Sequence, residues 1–380
     1  MNDIVRRTSV LTACVAVALL AVAPAAAQGD LEDWQRAELR SMLEAIEAAL
    51  DGRIVPVSEP FEFRPDFLKG TDGNAYVPFT LSIDPARVDA PTLSMYLYVV
   101  EPGDRDAVFE DAFFADASSG GGEPIRISRA FAVPGGAYDV YIVLRESSED
   151  LAPESDPPGD RDRAQIDQYC GELFADDLSS RFACQEQEYL AYRLQRRPRL
   201  SYNAGDDIAT MMMLRARVDV PDLWNDQLQL SSIIVPELVE PLSAPLTPDE
   251  QILSPYSLGT TRIVPKLDDE FGKQAELSLI FLVYNPRMAR ASMPDITIEY
   301  TFHQRSADGE EYFNRTNPQQ FNNQTLPPGF DLELGHQIVA GQTVPLTLFP
   351  AGDYRLEIKV TDNTNSAEIV ENVLFTVLES

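Results

Sequence analysis

Histidine is nearly missing: the 380 residues hold two, His303 and His336. A Ser–His–Asp site would need one of them. His303 sits in a strand-like alternation, and His336 follows Gly335 in a loop-like stretch. The marks of a nucleophile elbow, a Walker loop, a dinucleotide fingerprint and an HExxH helix are all lacking. No catalytic residue is named, and the chain is expected not to be an enzyme. Cysteine is equally scarce, at three. Cys14 lies in the leader described below, so Cys170 and Cys184 remain and are expected to pair in an oxidising compartment. Their short loop would give roughly 3 kcal/mol in the chain-entropy account. Zinc is a poor alternative, since neither histidine is near them in sequence. Positive charge is short as well: 30 Lys and Arg stand against 61 Asp and Glu, for a net charge of −31. Such a field repels phosphate backbones and anionic lipid heads, so neither nucleic acid nor a membrane surface is an expected partner. Carboxylates are too many to single out a glycosidase pair. Calcium is conceivable at "TDGN" near Asp72 or "DNTN" near Asp362, but both lack an EF-hand ligand series and read first as turns, and Met211 to Met213 read as strand core, so no metal site or cofactor is named.

What is present begins with a leader. Arg6 and Arg7 precede an apolar run from Val10 to Val22 and then "APAAAQ". This reads as a Sec signal peptide over residues 1–27, cut after Ala27. The run is too short and Ala-rich for an anchor, so no integral span is expected after cleavage. "LTAC" at Leu11 to Cys14 resembles a lipoprotein box but leaves almost no apolar run before the cysteine, so plain secretion is the preferred reading. The address would be the bacterial periplasm or the outside. The remainder, about 350 residues, is long enough for two domains.

Residues 28–53 read as an N-terminal helix. Leu39, Met42, Leu43, Ile46, Ala49 and Leu50 share one face, and Gly52 supplies a stop. Strand grammar follows. "TLSMYLYVV" alternates Leu93, Met95, Leu97 and Val99 against polar or aromatic positions, and "AYDVYIVLRE" alternates Tyr138, Val140, Ile142 and Leu144. The Pro-rich residues 241–254 read as an extended linker. Strands then resume to the end of the chain.

One phrase is written twice. "AVPGGAYDVYIVLRE" from Ala132 and "LFPAGDYRLEIKVTD" from Leu348 align Pro134 with Pro350, Gly136 with Gly352 and Tyr138 with Tyr354. This spacing resembles the tyrosine corner of immunoglobulin-like and fibronectin type III domains. That resemblance implies a Tyr ring packed under a turn, with its hydroxyl bonded back to the main chain. The arrangement is also similar to tandem sandwich domains of uncharacterised secreted bacterial proteins. The fold expected is all-β: two tandem immunoglobulin-like antiparallel sandwiches, at residues 54–240 and 255–380, behind the N-terminal helix. The distance from Asn/Asp-Pro to the corner is longer in the second copy, Pro286 to Pro350 against Pro85 to Pro134. The polar stretch 306–330 is expected to hold the difference.

The copies differ most after the corner strand. In the first, a helical insertion at about 147–205 intervenes. One helix candidate carries Ile166, Tyr169, Cys170, Leu173 and Phe174, a second carries Phe182 and Tyr189, and a basic cluster follows at Arg193, Arg196, Arg197 and Arg199. It is either a stapled cap over a sandwich edge or a binding element, with Tyr169, Phe174, Arg193, Arg196 and Arg197 as its contact residues. The function expected is non-enzymatic: binding or scaffolding in the cell envelope, with a protein or glycan partner. An accessory carbohydrate-binding subunit or an envelope hydrolase is the alternative.

Overall fold

The computed structural model describes residues 33–56, 60–117, 123–147, 160–173, 180–182, 184–185, 211–288, 293–332 and 334–379. The proposed leader and Phe174, Arg193, Arg196, Arg197 and Arg199 lie outside these residues. Helix α1 (Asp33–Leu50) carries its apolar residues at i, i+3, i+4 and i+7: Leu39, Met42, Leu43 and Ile46, all buried. It ends as glycine predicts. Gly52 takes φ +69°, and the amides of Gly52 and Arg53 bond back to the carbonyls of Ala49 and Ala48.

Among the described residues the first sandwich has eight strands in two antiparallel sheets. One sheet holds β1 (Glu62–Pro65), β2 (Leu68–Lys69) and β3 (Asn74–Ile83), with β6 (Ile125–Pro134) along the other side of β3. The second runs in the order β5 (Ala107–Asp116), β4 (Thr92–Val100), β7 (Gly136–Glu146), β8 (Met212–Val220). This is an immunoglobulin-like arrangement, and the period-2 pattern explains its core. Val77, Phe79, Leu81, Leu93, Met95, Leu97, Val99, Val140 and Ile142 point inward and are buried. The opposite face of β4 and β7 is also buried. Tyr96, Tyr98, Val100, Tyr141 and Val143 pack against the apolar face of α1. The aromatic residues that broke a simple apolar-polar alternation in β4 are the floor on which the helix lies.

The second sandwich repeats the plan. One sheet is β18 (Ile338–Pro345), β14 (Glu276–Tyr284) and β9 (Gln229–Leu230). The other runs β13 (Glu270–Phe271), β20 (Ala367–Val377), β19 (Gly352–Asp362), β15 (Ile296–Ser306), β16 (Gly309–Arg315), with β17 (Gln319–Phe321) also on β15. β16 stands where β5 stands in the first sandwich, so the longer corner distance is taken up between β16 and β18, by β17 and the loop that follows, a stretch that overlaps the expected 306–330 and runs past it.

Two boundaries differ from the sequence reading. β9 and the bridge between Ile234 and Ile280 belong to the second sandwich, although they lie inside the 54–240 segment assigned to the first. A fragment beginning at 255 would lack this strand and the core residues Leu228 and Leu230. The residues 241–254 read as an extended linker are also part of a folded excursion. β10 (Pro236–Pro241), α3 (Pro248–Leu253), β11 (Ser257–Leu258) and β12 (Thr261–Pro265) form a small unit whose strands pair in the order β10–β12–β11. Proline permits this because it sits where no amide is needed: Pro248 opens α3, and Pro236, Pro241 and Pro265 end strands. Thr247 caps α3 in a box with Glu250. The excursion lies on the outer face of β3 and β6, where the Tyr76 hydroxyl donates to the Pro255 carbonyl and Arg126 pairs with Glu237.

Candidate functional site

Both corners have the geometry the repeat implied. The Tyr138 hydroxyl donates to the Pro134 carbonyl at 3.0 Å, and Tyr354 to Pro350 at 2.8 Å. The two glycines serve different ends. Gly352 has φ +142°, where a side chain is strained, whereas a Cβ on Gly136 would stand 3.3 Å from the Tyr138 hydroxyl. Pro134, Gly136, Tyr138, Pro350, Gly352 and Tyr354 are thus structural, and they belong to two separate corners rather than to one site.

The insertion is tied as expected. Cys170 and Cys184 form a disulfide with Cα atoms 5.7 Å apart. Helix α2 (Asp160–Leu173) and the short stretch around Phe182 lie beside α1. Arg36 pairs with Asp167 at 3.2 Å, Gln185 donates to the same carboxylate at 3.0 Å, and the Phe182 ring sits 6.5 Å from that of Tyr96. The described part of the insertion therefore covers a sheet face together with α1, not a sandwich edge. Tyr169 is half exposed on it. Beneath α1 lies a polar cluster: Ser94 and Ser147 donate to the buried Glu38 carboxylate, and Arg145 donates to the Ser41 hydroxyl. With every member bonded, the helix is held in one register. Reducing the disulfide should raise amide exchange across 160–173 and 180–185, while β4, β7 and β19 keep their protection. Exchange spectra with and without reductant check this; loss of protection in β7 would place the staple in the sandwich core.

A second polar seam joins the sandwiches. The Tyr256 hydroxyl donates to Asp66 at 2.9 Å beside a cavity of about 110 Å³ lined by Arg64, Thr80, Ile234 and Lys266. Burial pushes the Asp66 carboxyl up, against the bonds from Tyr256 and Ser232. Arg64 reaches the Lys266 and Leu267 carbonyls and the Asp269 carboxylate. Phe67 and Ser232 exchange two bonds at 2.8 Å, and the Lys69 ammonium meets Asn285 at 2.8 Å and the Trp224 ring at 4.4 Å. Leu282 and Tyr284 of β14 complete the core of the first sandwich. The polar groups of this seam are committed to one another, and their partners make it a clasp.

Sequence reading missed two charged residues on the inward face of the first sandwich. Asp111 occupies the inward register of β5, between Phe109 and Phe113, and Arg129 the inward register of β6. The Arg129 guanidinium lies 4.0 Å over the Phe113 ring. The signal was present: alternation Ala107, Phe109, Asp111, Phe113, Ala115 places a carboxylate among apolar residues. Burial raises Asp111 to about 6, against the backbone amide of Ala112 and the charge of Arg129. The folded value exceeds the unfolded one, so the folded chain holds this proton to higher pH. Between about pH 4 and 6 the group therefore makes stability fall as pH rises, by roughly 2–3 kcal/mol in all. Asp111→Asn should abolish that slope. Denaturation midpoints taken either side of the window test it; the same slope in both proteins would assign it to other groups.

Among the described residues neither histidine meets a Ser–Asp or Cys partner set. His336 accepts from the Asp331 amide through Nδ1 at 2.9 Å, and His303 packs edge-on to Tyr312. Among the described residues no cluster of His, Cys, Asp and Glu could hold a metal ion. Asp362 is fully buried, and its carboxylate caps the amides of Arg287 and Thr364, which makes "DNTN" a turn. No described helix is long and apolar enough to cross a membrane.

No family model and no curated protein matches this chain. Among solved structures, it is similar to an immunoglobulin-like protein of Pseudomonas aeruginosa at 12% identity, over 39% of this chain and 97% of that one, with a TM-score of 0.18. A mutant β-glucosidase of Listeria innocua, bound to laminaribiose, shares 10% identity over 36% of this chain and 21% of its own, at 0.20. An alkylpurine DNA glycosylase of Pseudomonas fluorescens shares 9% identity over 57% and 47%, also at 0.20. The chain thus spans about a fifth of the glucosidase and under half of the glycosylase. At such scores none of the three carries an argument about activity.

Proposed function

We propose that this is a secreted or periplasmic, non-enzymatic protein of tandem immunoglobulin-like domains that binds a partner in the cell envelope or scaffolds it. The observation that carries the reading is the unequal covering of the two sandwiches. The first has both outer faces occupied by its own chain, α1 with the stapled insertion on one and the β10–β12 excursion on the other. Among the described residues nothing covers the matching face of β15, β19 and β20, which is laced with ion pairs such as Arg355–Glu310 and Lys359–Glu368. A base that is closed on both sides and clasped to an open module suits presentation of a binding surface. The disulfide and the leader-like residues 1–27 support an oxidising address. A glycan-binding reading finds less support: the exposed aromatic residues Trp224, Tyr312 and Tyr169 stand on three different elements, with no shared platform.

The test is photo-crosslinking in the native envelope from single positions of the full chain. Glu299 and Leu374 on the open face should capture a partner, and Arg217 on the first sandwich should not. Capture from Arg217 alone would reverse the assignment of the two modules. Capture from no position would remove the binding reading.

A further inference from the structure

We infer that the outer edge of β20 is a strand-addition site for an extended segment of a partner protein in which apolar and basic residues alternate. The inference rests on the binding reading above and gives it a place and a chemistry. β20 pairs with β19 without a break, from Ala367 opposite Asp362 to Val377 opposite Gly352. On its other side, among the described residues, only β13 attaches, parallel and two residues long, opposite Thr376 and Val377. There the amides of Thr376 and Leu378 donate outward to the carbonyls of Asp269 and Phe271. The strand period is two, so Glu368, Val370, Asn372 and Leu374 also direct their backbone groups outward, and no described strand meets them. That leaves a row of about 20 Å. β13 shows that the edge accepts a strand at one end.

Other edges are blunted by a bulge, a proline or basic side chains, none of which β20 carries. β5 and β16 carry register shifts, β1, β6 and β18 end in proline, and β8 carries Arg215 and Arg217. β20 has no proline and no bulge. Val370 and Leu374 are half exposed on its outer face, while Ile369 and Val373 rest against the core on the inner one. An added strand would thus find apolar neighbours on both sides. Charge selects its composition. Glu371 is exposed at the edge, Glu368 pairs with Lys359, and the whole chain carries −31. A second copy of this chain would bring the same net charge and be repelled, whereas lysine or arginine interleaved with aliphatic residues would be drawn in.

The probe is a synthetic peptide of about ten alternating lysines and valines, with a glutamate–valine peptide as control, added to the full chain. The first should bind and the second should not. Binding should slow exchange at the amides of Glu368, Val370, Asn372 and Leu374, leaving the odd-numbered amides as they were. Val370→Pro removes an outward amide and no bond to β19, so it should weaken binding by about tenfold or more with little change in stability. If that variant folds poorly, Val370→Lys with Leu374→Lys keeps every amide and should weaken binding likewise. Failure of the lysine–valine peptide to bind, equal binding by the double variant, or protection that ignores the even positions would each overturn the proposal. Crosslinking from Glu299 would be untouched by such a failure, so the broader reading can stand when this one falls.

Discussion

Replacing Ile46 by aspartate is expected to lower stability by about 5 kcal/mol or more, enough to leave the first sandwich marginal or unfolded. Ile46 is fully buried in the cluster that joins α1 to Tyr96, Tyr141 and Val143. The change removes an aliphatic side chain from a closed packing, leaves a void, and sets a carboxylate against aromatic rings. Each step alone costs several kcal/mol at a fully buried site. A surface helix, such as the opposite face of α1, behaves otherwise: Glu47 is exposed, and Glu47→Gln should shift the midpoint by less than about 0.5 kcal/mol. Chemical denaturation of the full chain compares the two. A small effect at Ile46 would mean that α1 rests on the sandwich without belonging to its cooperative unit, and the account of β4 and β7 as doubly buried strands would fail with it.

How far the sequence discloses this architecture depends on which physical signal each element carries. Strand alternation and the Pro-x-Gly-x-Tyr spacing are local, so the two sandwiches and their corners were legible. The helical stripe of α1 was legible too, and so was the pairing of Cys170 with Cys184. Alternation says that a face is apolar, but it does not say what covers it. Tyr96 and Tyr98 looked like interruptions because the covering helix lies some fifty residues upstream. The boundary between sandwiches was misplaced for a related reason. β9 is two residues long, and its identity comes from pairing with β14, far along the chain. The prolines of the excursion read as breakers because composition does not show that each stands at a strand end or a helix start. Of the candidate contact residues, Tyr169 is exposed on the stapled insertion, while Phe174, Arg193, Arg196 and Arg197 lie outside the described residues. The open edge of β20 was beyond any pattern: an edge is defined by the strand that is not there.

The second large effect concerns the corner that the sequence announced twice. Tyr354→Ala should destabilise the second sandwich by about 4 kcal/mol, and Tyr354→Phe by about 1 kcal/mol. The ring is fully buried. It stacks on Phe375 at 5.3 Å and meets Phe349 and Phe313 edge-on at 5.2 and 5.4 Å, so alanine would open a large cavity in an aromatic cluster. Phenylalanine keeps those contacts and loses only the 2.8 Å bond to the Pro350 carbonyl. The same pair at Tyr138 should follow the same order, since that hydroxyl reaches Pro134 in the same way. Both sets need the full chain, because β9 supplies part of the second sandwich from before residue 235. If Tyr354→Phe leaves the midpoint where it was while Tyr354→Ala lowers it, the residue acts as a core ring and the corner bond is incidental. If the phenylalanine variant alone produces most of the loss, the bond to Pro350 sets the turn between the sheets, and the repeated phrase records a requirement of the backbone more than one of the core.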